Sequence, residues 1–169
     1  MLRCNKNERW ILVNEIANER GSYKNFTGMI FWGENEAIVK NATFDLYDDG
    51  SIYYRCIKFM SGDWQNGYFW FGSWYGGIWE SGTWRNGHWF KGVWKNGTWE
   101  HGTWFDGHWF GGRWRRGTWS SGLWENGTWE SGIWKNGTWK DGTWEYGDWR
   151  GGVDSNGKLR LSNPNLWNK

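Results

Sequence analysis

The sequence predicts an all-β protein whose main part is a four-sided β-solenoid, a coil of short strands around a closed core. The chief observation is an unbroken period of five residues, G-x-W-x-x, between Trp64 and Trp149. Of the 18 consecutive aromatic positions in this phase, 17 are Trp and the other is Phe69. The second observation is composition, because 21 Trp and 27 Gly in 169 residues predict a core that is aromatic. A period this strict indicates a repeat architecture.

The repeat divides the chain into three regions. Residues 1–60 are predicted to form a small β-rich cap or anchor, residues 61–153 the array, and residues 154–169 a C-terminal cap. Caps are expected because an open coil presents unpaired strand edges. In the C-terminal cap, Leu166 or Trp167 is predicted to cover the end of the core.

The N-terminal region is predicted to contain short strands, because β-branched and aromatic runs alternate with turn residues over residues 22–60. Residues 5–20 are ambiguous. Trp10, Val13 and Ala17 recur at helical spacing and favour a short helix, whereas the W-I-L-V run over residues 10–13 also suits a strand.

Two geometries compete for the array. In a narrow single-layer meander of β-hairpins, Asn-Gly pairs such as residues 96–97 would form the turns. That sheet would leave its indoles on one uncovered face, a larger apolar patch than soluble monomers show. In a four-sided solenoid with twenty residues per coil, Trp points inward and the Gly two residues earlier leaves room for the indole. The sequence favours the solenoid and leaves the meander open.

A second similarity supports a twenty-residue coil. Segments 66–72, 86–92 and 106–112 resemble one another, and residues twenty apart would stack about 4.8 Å from each other in such a coil. Their outward aromatic and histidine side chains would then form one exposed strip, suited to stacking on a ligand or to packing against a protein. The candidate binding residues in this strip are Trp70, Phe90, Phe110, His88 and His108.

Charge and motifs narrow the classes of function. The array has nine basic and nine acidic residues, whereas a surface that binds nucleic acid needs clustered Lys and Arg. No nucleophile–base pair, paired carboxylates or phosphate-binding loop stands out, so the sequence predicts neither an enzyme nor a cofactor. No Cys or carboxylate is placed to complete a metal site with the histidines. We also expect no membrane span and no secretion signal, which predicts a cytoplasmic or virion location.

The array resembles known repeat families. G-x-W-x-x resembles the pentapeptide repeat, in which a small and a large apolar residue point inward. Segments such as Gly92-Val-Trp-Lys-Asn-Gly97 are also similar to MORN-type repeats, and similar Trp-rich arrays occur in uncharacterised proteins of tailed bacteriophages. These resemblances cover residues 62–152 and bring no catalytic motif.

The sequence therefore favours a non-enzymatic structural or protein-interaction repeat protein, with a phage virion or phage accessory component as the context that the resemblance implies. A protein partner or self-assembly is expected. The alternative is a module whose exposed aromatic residues bind carbohydrate or single-stranded nucleic acid.

Overall fold

The computed structural model describes residues 9–12, 21–32, 35–48 and 55–167, and it confirms an all-β fold with a parallel β-solenoid of about six turns. A 3₁₀ helix spans Pro164–Leu166 near the C-terminus. The strands are β1 (Arg9–Leu12), β2 (Gly21–Trp32), β3 (Asn35–Asp48), β4 (Arg55–Phe69), β5 (Gly72–Trp74), β6 (Ile78–Trp79), β7 (Thr83–Trp84), β8 (His88–Trp89), β9 (Val93–Trp94), β10 (Thr98–Trp99), β11 (Thr103–Trp104), β12 (His108–Trp109), β13 (Arg113–Trp114), β14 (Thr118–Trp119), β15 (Leu123–Trp124), β16 (Thr128–Trp129), β17 (Ile133–Trp134), β18 (Thr138–Trp139), β19 (Thr143–Trp144) and β20 (Asp148–Trp149).

The coil has three sides and fifteen residues, so the predicted four sides and twenty residues are wrong. Trp84 pairs with Trp99, and Trp99 pairs with Trp114, each in parallel register. The pairings among β5–β20 are parallel throughout, so the hairpin meander is wrong as well. Three sides suit the indoles because a triangle of strands encloses a smaller interior that three rings can fill to normal protein density.

Three columns of stacked rings form the core, one behind each side of the coil. Neighbouring rings in a column are nearly parallel, as for Trp84 and Trp99, whose centroids lie 4.9 Å apart. Rings on adjacent sides meet edge to face, as for Trp84 and Trp89 at 5.9 Å and 76°. Both arrangements are favourable for aromatic pairs. Side A contains Trp64, Trp79, Trp94, Trp109, Trp124 and Trp139; side B contains Phe69, Trp84, Trp99, Trp114, Trp129 and Trp144; side C contains Phe59, Trp74, Trp89, Trp104, Trp119, Trp134 and Trp149.

Backbone hydrogen bonds join each coil to the next at two points per five-residue unit. The Val93 N–H donates to the Gly77 carbonyl at 3.0 Å, and the Lys95 N–H donates to the Trp79 carbonyl at 2.8 Å. The same pattern recurs along the array. The short strands therefore satisfy their backbone groups between coils.

Glycine is required at the repeat position mainly by the backbone conformation and by the close approach of the preceding coil, and less by the size of the indole. Gly117 has φ = 130°, and a Cβ added there would lie 2.3 Å from the Gly102 carbonyl oxygen on the preceding coil. A side chain would thus be strained and would also push two coils apart. The sequence predicted that glycine leaves room for Trp, and at some corners the indole is a second contact that an added side chain would meet. At Gly137 the nearest indole atom, Nε1 of Trp119, lies 3.1 Å from the added Cβ.

The Asn-Gly pairs lie at the corners of the coil and do not form hairpin turns. The Asn96 side-chain oxygen accepts a hydrogen bond from the Gly97 N–H at 2.8 Å. Asp106 makes the same contact with Gly107. A short side chain with an acceptor oxygen thereby satisfies a backbone donor where the chain changes direction.

The N-terminal strands extend the same core with antiparallel pairing. Strand β4 pairs antiparallel with β3, and β3 pairs antiparallel with β2, over 12 to 15 residues per strand. These strands are longer than the short ones predicted. The column of side C continues into them, because Phe44 stacks parallel to Phe59 at 6.5 Å and Tyr23 stacks on Phe44 at 5.0 Å.

The ambiguous segment over residues 5–20 contains a strand. Arg9–Leu12 forms β1, which pairs in parallel with β2 through partners such as Ile11 and Ile30. The prediction of a helix is therefore wrong for these four residues, and the remainder of the segment lies outside the described residues.

The C-terminal segment folds across the last coil. Trp167 meets Trp149 edge to face at 5.4 Å, whereas Leu166 is exposed. Trp167 is thus the residue that covers the end of the core. The Asn165 side chain donates to the Trp144 carbonyl at 2.8 Å, which satisfies an acceptor that no further coil can reach. Buried Asp154 forms a two-point ion pair with Arg160, at 2.9 and 2.7 Å, that holds the segment in place.

Candidate interaction surface

The five residues predicted to form one strip lie on three sides of the solenoid. Trp70 follows Phe69 on side B, His88 and Phe90 flank Trp89 on side C, and His108 and Phe110 flank Trp109 on side A. The prediction of one strip is wrong because a step of twenty residues is one coil plus one side. Four of the five residues lie together in two pairs. The ring centroids of His88 and Phe90 are 6.3 Å apart, and His108 stacks on Phe110 at 3.9 Å.

Side C presents a different row of aromatic residues, spaced fifteen apart. Tyr75 stacks on Phe90 at 4.8 Å, and Phe90 stacks on Phe105 at 5.0 Å. These three residues, named here the aromatic ladder, each follow an inward-pointing Trp and therefore point outward. Phe90 and Phe105 are 36% and 39% exposed. The β-solenoid thus presents stacked rings on its surface as well as in its core.

The aromatic ladder exposes ring edges. The planes of Tyr75 and Phe90 differ by 11°, and those of Phe90 and Phe105 by 3°. Each inner ring face is therefore covered by its neighbour. Sugars and bases stack on ring faces, whereas protein side chains pack well against edges. The outer face of Phe105 is the exception, because the next position along the column holds the small residue Ser120.

The ladder lies in a part of side C that has no charged residue beside its Trp positions. Over four consecutive coils the outward residues flanking Trp are Ser73, Tyr75, His88, Phe90, Thr103, Phe105, Thr118 and Ser120. His88 is exposed and lies 6.1 Å from Phe105. Depletion of charge together with aromatic enrichment is the composition of the central part of protein interfaces.

Sides A and B are covered by ion pairs between coils. On side A, Lys95 contacts Glu80 at 2.9 Å, and Lys140 contacts Glu125 at 2.9 Å. Glu125 also contacts His108. The hydrogen bond from Lys140 lowers the pKa of Glu125, despite partial desolvation that opposes the shift. These exposed pairs link neighbouring coils and place charged groups on side A.

Side B has a row of alternating charges beside a shallow groove of about 680 Å³. Arg85 contacts Glu100 at 3.0 Å, and Arg113 forms an ion pair with Glu130. Arg85 also lies 5.2 Å from the centroid of the Trp70 ring. A hydrogen bond with Tyr68 is the largest of the effects that raise the pKa of Arg85. The groove is polar, and its lining contains three Arg and three Glu residues.

Sequence reasoning identified Phe90 and His88 but missed Tyr75 and Phe105. The signal was present in the sequence, because Met60, Tyr75, Phe90 and Phe105 recur at intervals of fifteen. It could be recognised only once the coil length was known.

In the part of the chain that the structure describes, no group of three or more His, Cys, Asp or Glu side chains is arranged to hold a metal ion. Among the same residues, no helix has the length and apolar content that crossing a membrane requires.

Comparison with known proteins gives no match to this chain, whether to a family model, a curated protein or a solved structure. The architecture itself is consistent with a pentapeptide-type repeat, because one Trp recurs every five residues along the solenoid.

Proposed function

We propose that this protein is a non-enzymatic, rod-like interaction protein that binds a protein partner through the aromatic ladder on side C. The observation that supports this function is the contrast between the sides. Sides A and B have ion pairs between coils, whereas the outward residues that directly flank Trp around Tyr75, Phe90 and Phe105 are uncharged. A second copy of the chain is the first partner to test, because assembly into a larger structure suits a rod.

The rigidity of the solenoid supports the same proposal. Every coil is hydrogen-bonded to its neighbours and encloses three buried rings. The ladder is therefore held in place before binding, which lowers the entropic cost of association. A phage virion or phage accessory component remains the proposed context, and it rests on the resemblance of the array alone.

The test compares single substitutions of exposed Phe residues on two sides. Phe90→Ala removes the middle ring of the ladder, and Phe110→Ala removes a Phe of similar exposure from side A. Sedimentation equilibrium over a wide concentration range should show self-association of the wild type and of the Phe110 variant, and its loss in the Phe90 variant. Equal behaviour of the two variants would refute a role for the ladder in self-assembly.

One observation favours a second candidate function, carbohydrate binding. The outer face of Phe105 adjoins Ser120, so a single sugar ring could stack there. A glycan array separates the two functions. Glycan binding that Phe105→Ala abolishes, by a wild type that stays monomeric, would favour carbohydrate over a protein partner. Single-stranded nucleic acid is a weaker candidate because the array lacks a basic groove, having nine residues of each sign.

A further inference from the structure

The core of the solenoid is a continuous stack of indole rings, which lose an electron more readily than benzene rings do. Behind side C, six indoles follow one another from Trp74 to Trp149 with centroid distances of 4.7, 4.7, 4.9, 4.8 and 5.1 Å. Trp149 then meets Trp167 at 5.4 Å. Electron transfer between aromatic rings depends steeply on distance, and each step here lies between rings in contact.

The two ends of this column differ. At the N-terminal end Trp74 stacks on Phe59 at 4.0 Å, and Phe59 stacks on Phe44. A benzene ring is much harder to oxidise than an indole. The radical cation left when an indole loses an electron, called here the vacancy, therefore cannot move past Phe59 in that direction. At the C-terminal end the column continues to Trp167, which is half-buried and reaches solvent.

The interior of the column also retains its protons. The indole N–H groups of the five inner rings are buried and have no hydrogen-bond acceptor among the described residues. These rings are Trp74, Trp89, Trp104, Trp119 and Trp134. An indole radical cation that cannot release its proton stays charged and can recover an electron from the next ring. A vacancy therefore moves along the column without being trapped.

Trp167 has the surroundings of a trap. Its ring is half-buried, whereas the inner indoles of the column are fully buried, so Trp167 has an edge in contact with solvent. Its N–H donates to the Ser162 carbonyl at 2.7 Å, and water at the exposed edge can accept the proton. The resulting neutral radical can no longer pass the vacancy back.

We propose that the Trp core transfers one-electron oxidising equivalents along side C and delivers them to Trp167. A high-potential one-electron oxidant of the inorganic-radical class, such as the carbonate radical anion, takes an electron from an inner indole and is reduced to carbonate, leaving a radical cation. Each following indole gives up an electron to its oxidised neighbour, until Trp167 is oxidised and its proton passes to water. A small thiol then restores Trp167 by giving it a hydrogen atom, and is itself oxidised to a thiyl radical.

The test places the oxidant at one point and maps the damage. A ruthenium(II) polypyridyl complex is attached to Lys91→Cys, beside Trp89 on an exposed corner, in a Cys4→Ser/Cys56→Ser background. Light and a soluble electron acceptor generate ruthenium(III), which takes an electron from the core. Without thiol, peptide mass spectrometry should find oxidised indole mainly at Trp167, and a small thiol should suppress it.

An insulating layer and a matched control test the path. Trp119→Phe/Trp124→Phe/Trp129→Phe replaces one whole coil of rings between the label and Trp167, and should abolish the excess of oxidation there. Trp74→Phe/Trp79→Phe/Trp84→Phe makes the same change beyond the label, and should leave the pattern unchanged. Phe is already accommodated in the core, since Phe69 stacks on Trp84 at 4.1 Å. Equal oxidation of Trp167 in both variants, or oxidation centred on Trp89 in the unmodified core, would overturn the proposal.

A further variant keeps the test decisive if the insulated core does not fold. Trp167→Phe leaves all buried rings in place and removes the trap. The main site of oxidation should then move to Trp149, whose N–H donates to the Arg160 carbonyl at 3.0 Å. An unchanged distribution over the other indoles would show that Trp167 reacted directly with species in solution.

Discussion

Two adjacent glycines offer a sharp test of why the repeat requires Gly. Gly112 is a repeat glycine with φ = 107°, and an added Cβ would lie 2.3 Å from the Gly97 carbonyl oxygen. Gly111 precedes it outside the repeat position, and a Cβ there would meet only the Lys95 carbonyl oxygen, at 3.8 Å. The same chemical change, Gly→Ala, therefore has opposite structural consequences one residue apart.

The expected cost at Gly112 has two parts. Holding Ala at positive φ costs about 1–3 kcal/mol. Relieving the overlap with Gly97 requires shifts of a packed backbone, which cost about another 1–3 kcal/mol. The shift would also lengthen the 2.8 Å hydrogen bond from the Arg113 N–H to the Gly97 carbonyl. The sum of about 2–6 kcal/mol is a large share of a domain stability of about 5–15 kcal/mol. Gly111→Ala should stay within about 0.5 kcal/mol of the wild type.

The assay combines global and local unfolding. Urea denaturation followed by Trp fluorescence gives the midpoint for each variant. Because coils contact only their neighbours, the array can open in part, so hydrogen exchange is measured as well. In the Gly112 variant, faster exchange should be confined to the coils around Gly97 and Gly112.

Equal stability of the two variants would refute the account based on the preceding coil. A loss at Gly112 accompanied by red-shifted indole emission, with exchange between coils unchanged, would instead support the explanation from the sequence, in which glycine leaves room for Trp. Gly76→Ala provides a second control, because its added Cβ would lie 3.5 Å from the Met60 carbonyl oxygen.

Three further predictions concern the core and the C-terminal cap. Trp104→Ala should destabilise the protein by about 3–5 kcal/mol in urea denaturation, whereas Trp104→Phe should cost clearly less, as Phe69 already occupies such a position; equal losses would contradict stacking as the source of stability. Indole emission should be mainly blue-shifted and poorly quenched by iodide, because the inward-pointing indoles from Trp64 to Trp144 are at most 3% exposed; ready quenching of most of the emission would contradict a closed core. Burial raises the pKa of Asp154, but hydrogen bonds from the Lys158 and Asn156 N–H groups and from Arg160 outweigh it and lower the pKa overall. The ion pair should therefore stabilise the cap at pH values above the ordinary Asp pKa, and this stabilisation should be lost as the pH falls through the lowered pKa. Hydrogen exchange over residues 154–167 should become faster in acid for the wild type and should change less for Asp154→Asn.

The sequence was sufficient to predict the five-residue unit and its orientation. Trp inward, polar residues outward and a closed core all follow from the strict spacing of Gly and Trp, and burial of Trp74 through Trp134 confirms them. The spacing determines one side of the coil. It contains no information on the angle at each corner, which depends on backbone conformation at glycines such as Gly117 and on how many rings fill the interior.

The prediction of one aromatic strip is wrong for the same reason, because it depended on the number of residues per coil. Residues 86–92 and 106–112 resemble each other in sequence, but they lie on different sides of the coil. Residues fifteen apart show little similarity as segments, yet Tyr75, Phe90 and Phe105 stack. A surface row in a solenoid is therefore defined by the coil length and not by the repeat that is most visible in the chain.

The size of the interior explains why the coil closes with three sides. For sides of equal length, a square encloses about 2.3 times the area of a triangle but receives only one more indole per coil, so its interior would be filled to only about 0.6 of the density that the triangle reaches. Protein interiors have a packing density of about 0.75, and that reduction would bring the core below the density of an organic liquid. In the triangle the rings of Trp89, Trp94 and Trp99 meet edge to face at 5.9 and 6.0 Å. Trp and Gly together thus select a coil whose narrow interior admits three rings and whose backbones approach too closely for a side chain at the repeat glycine.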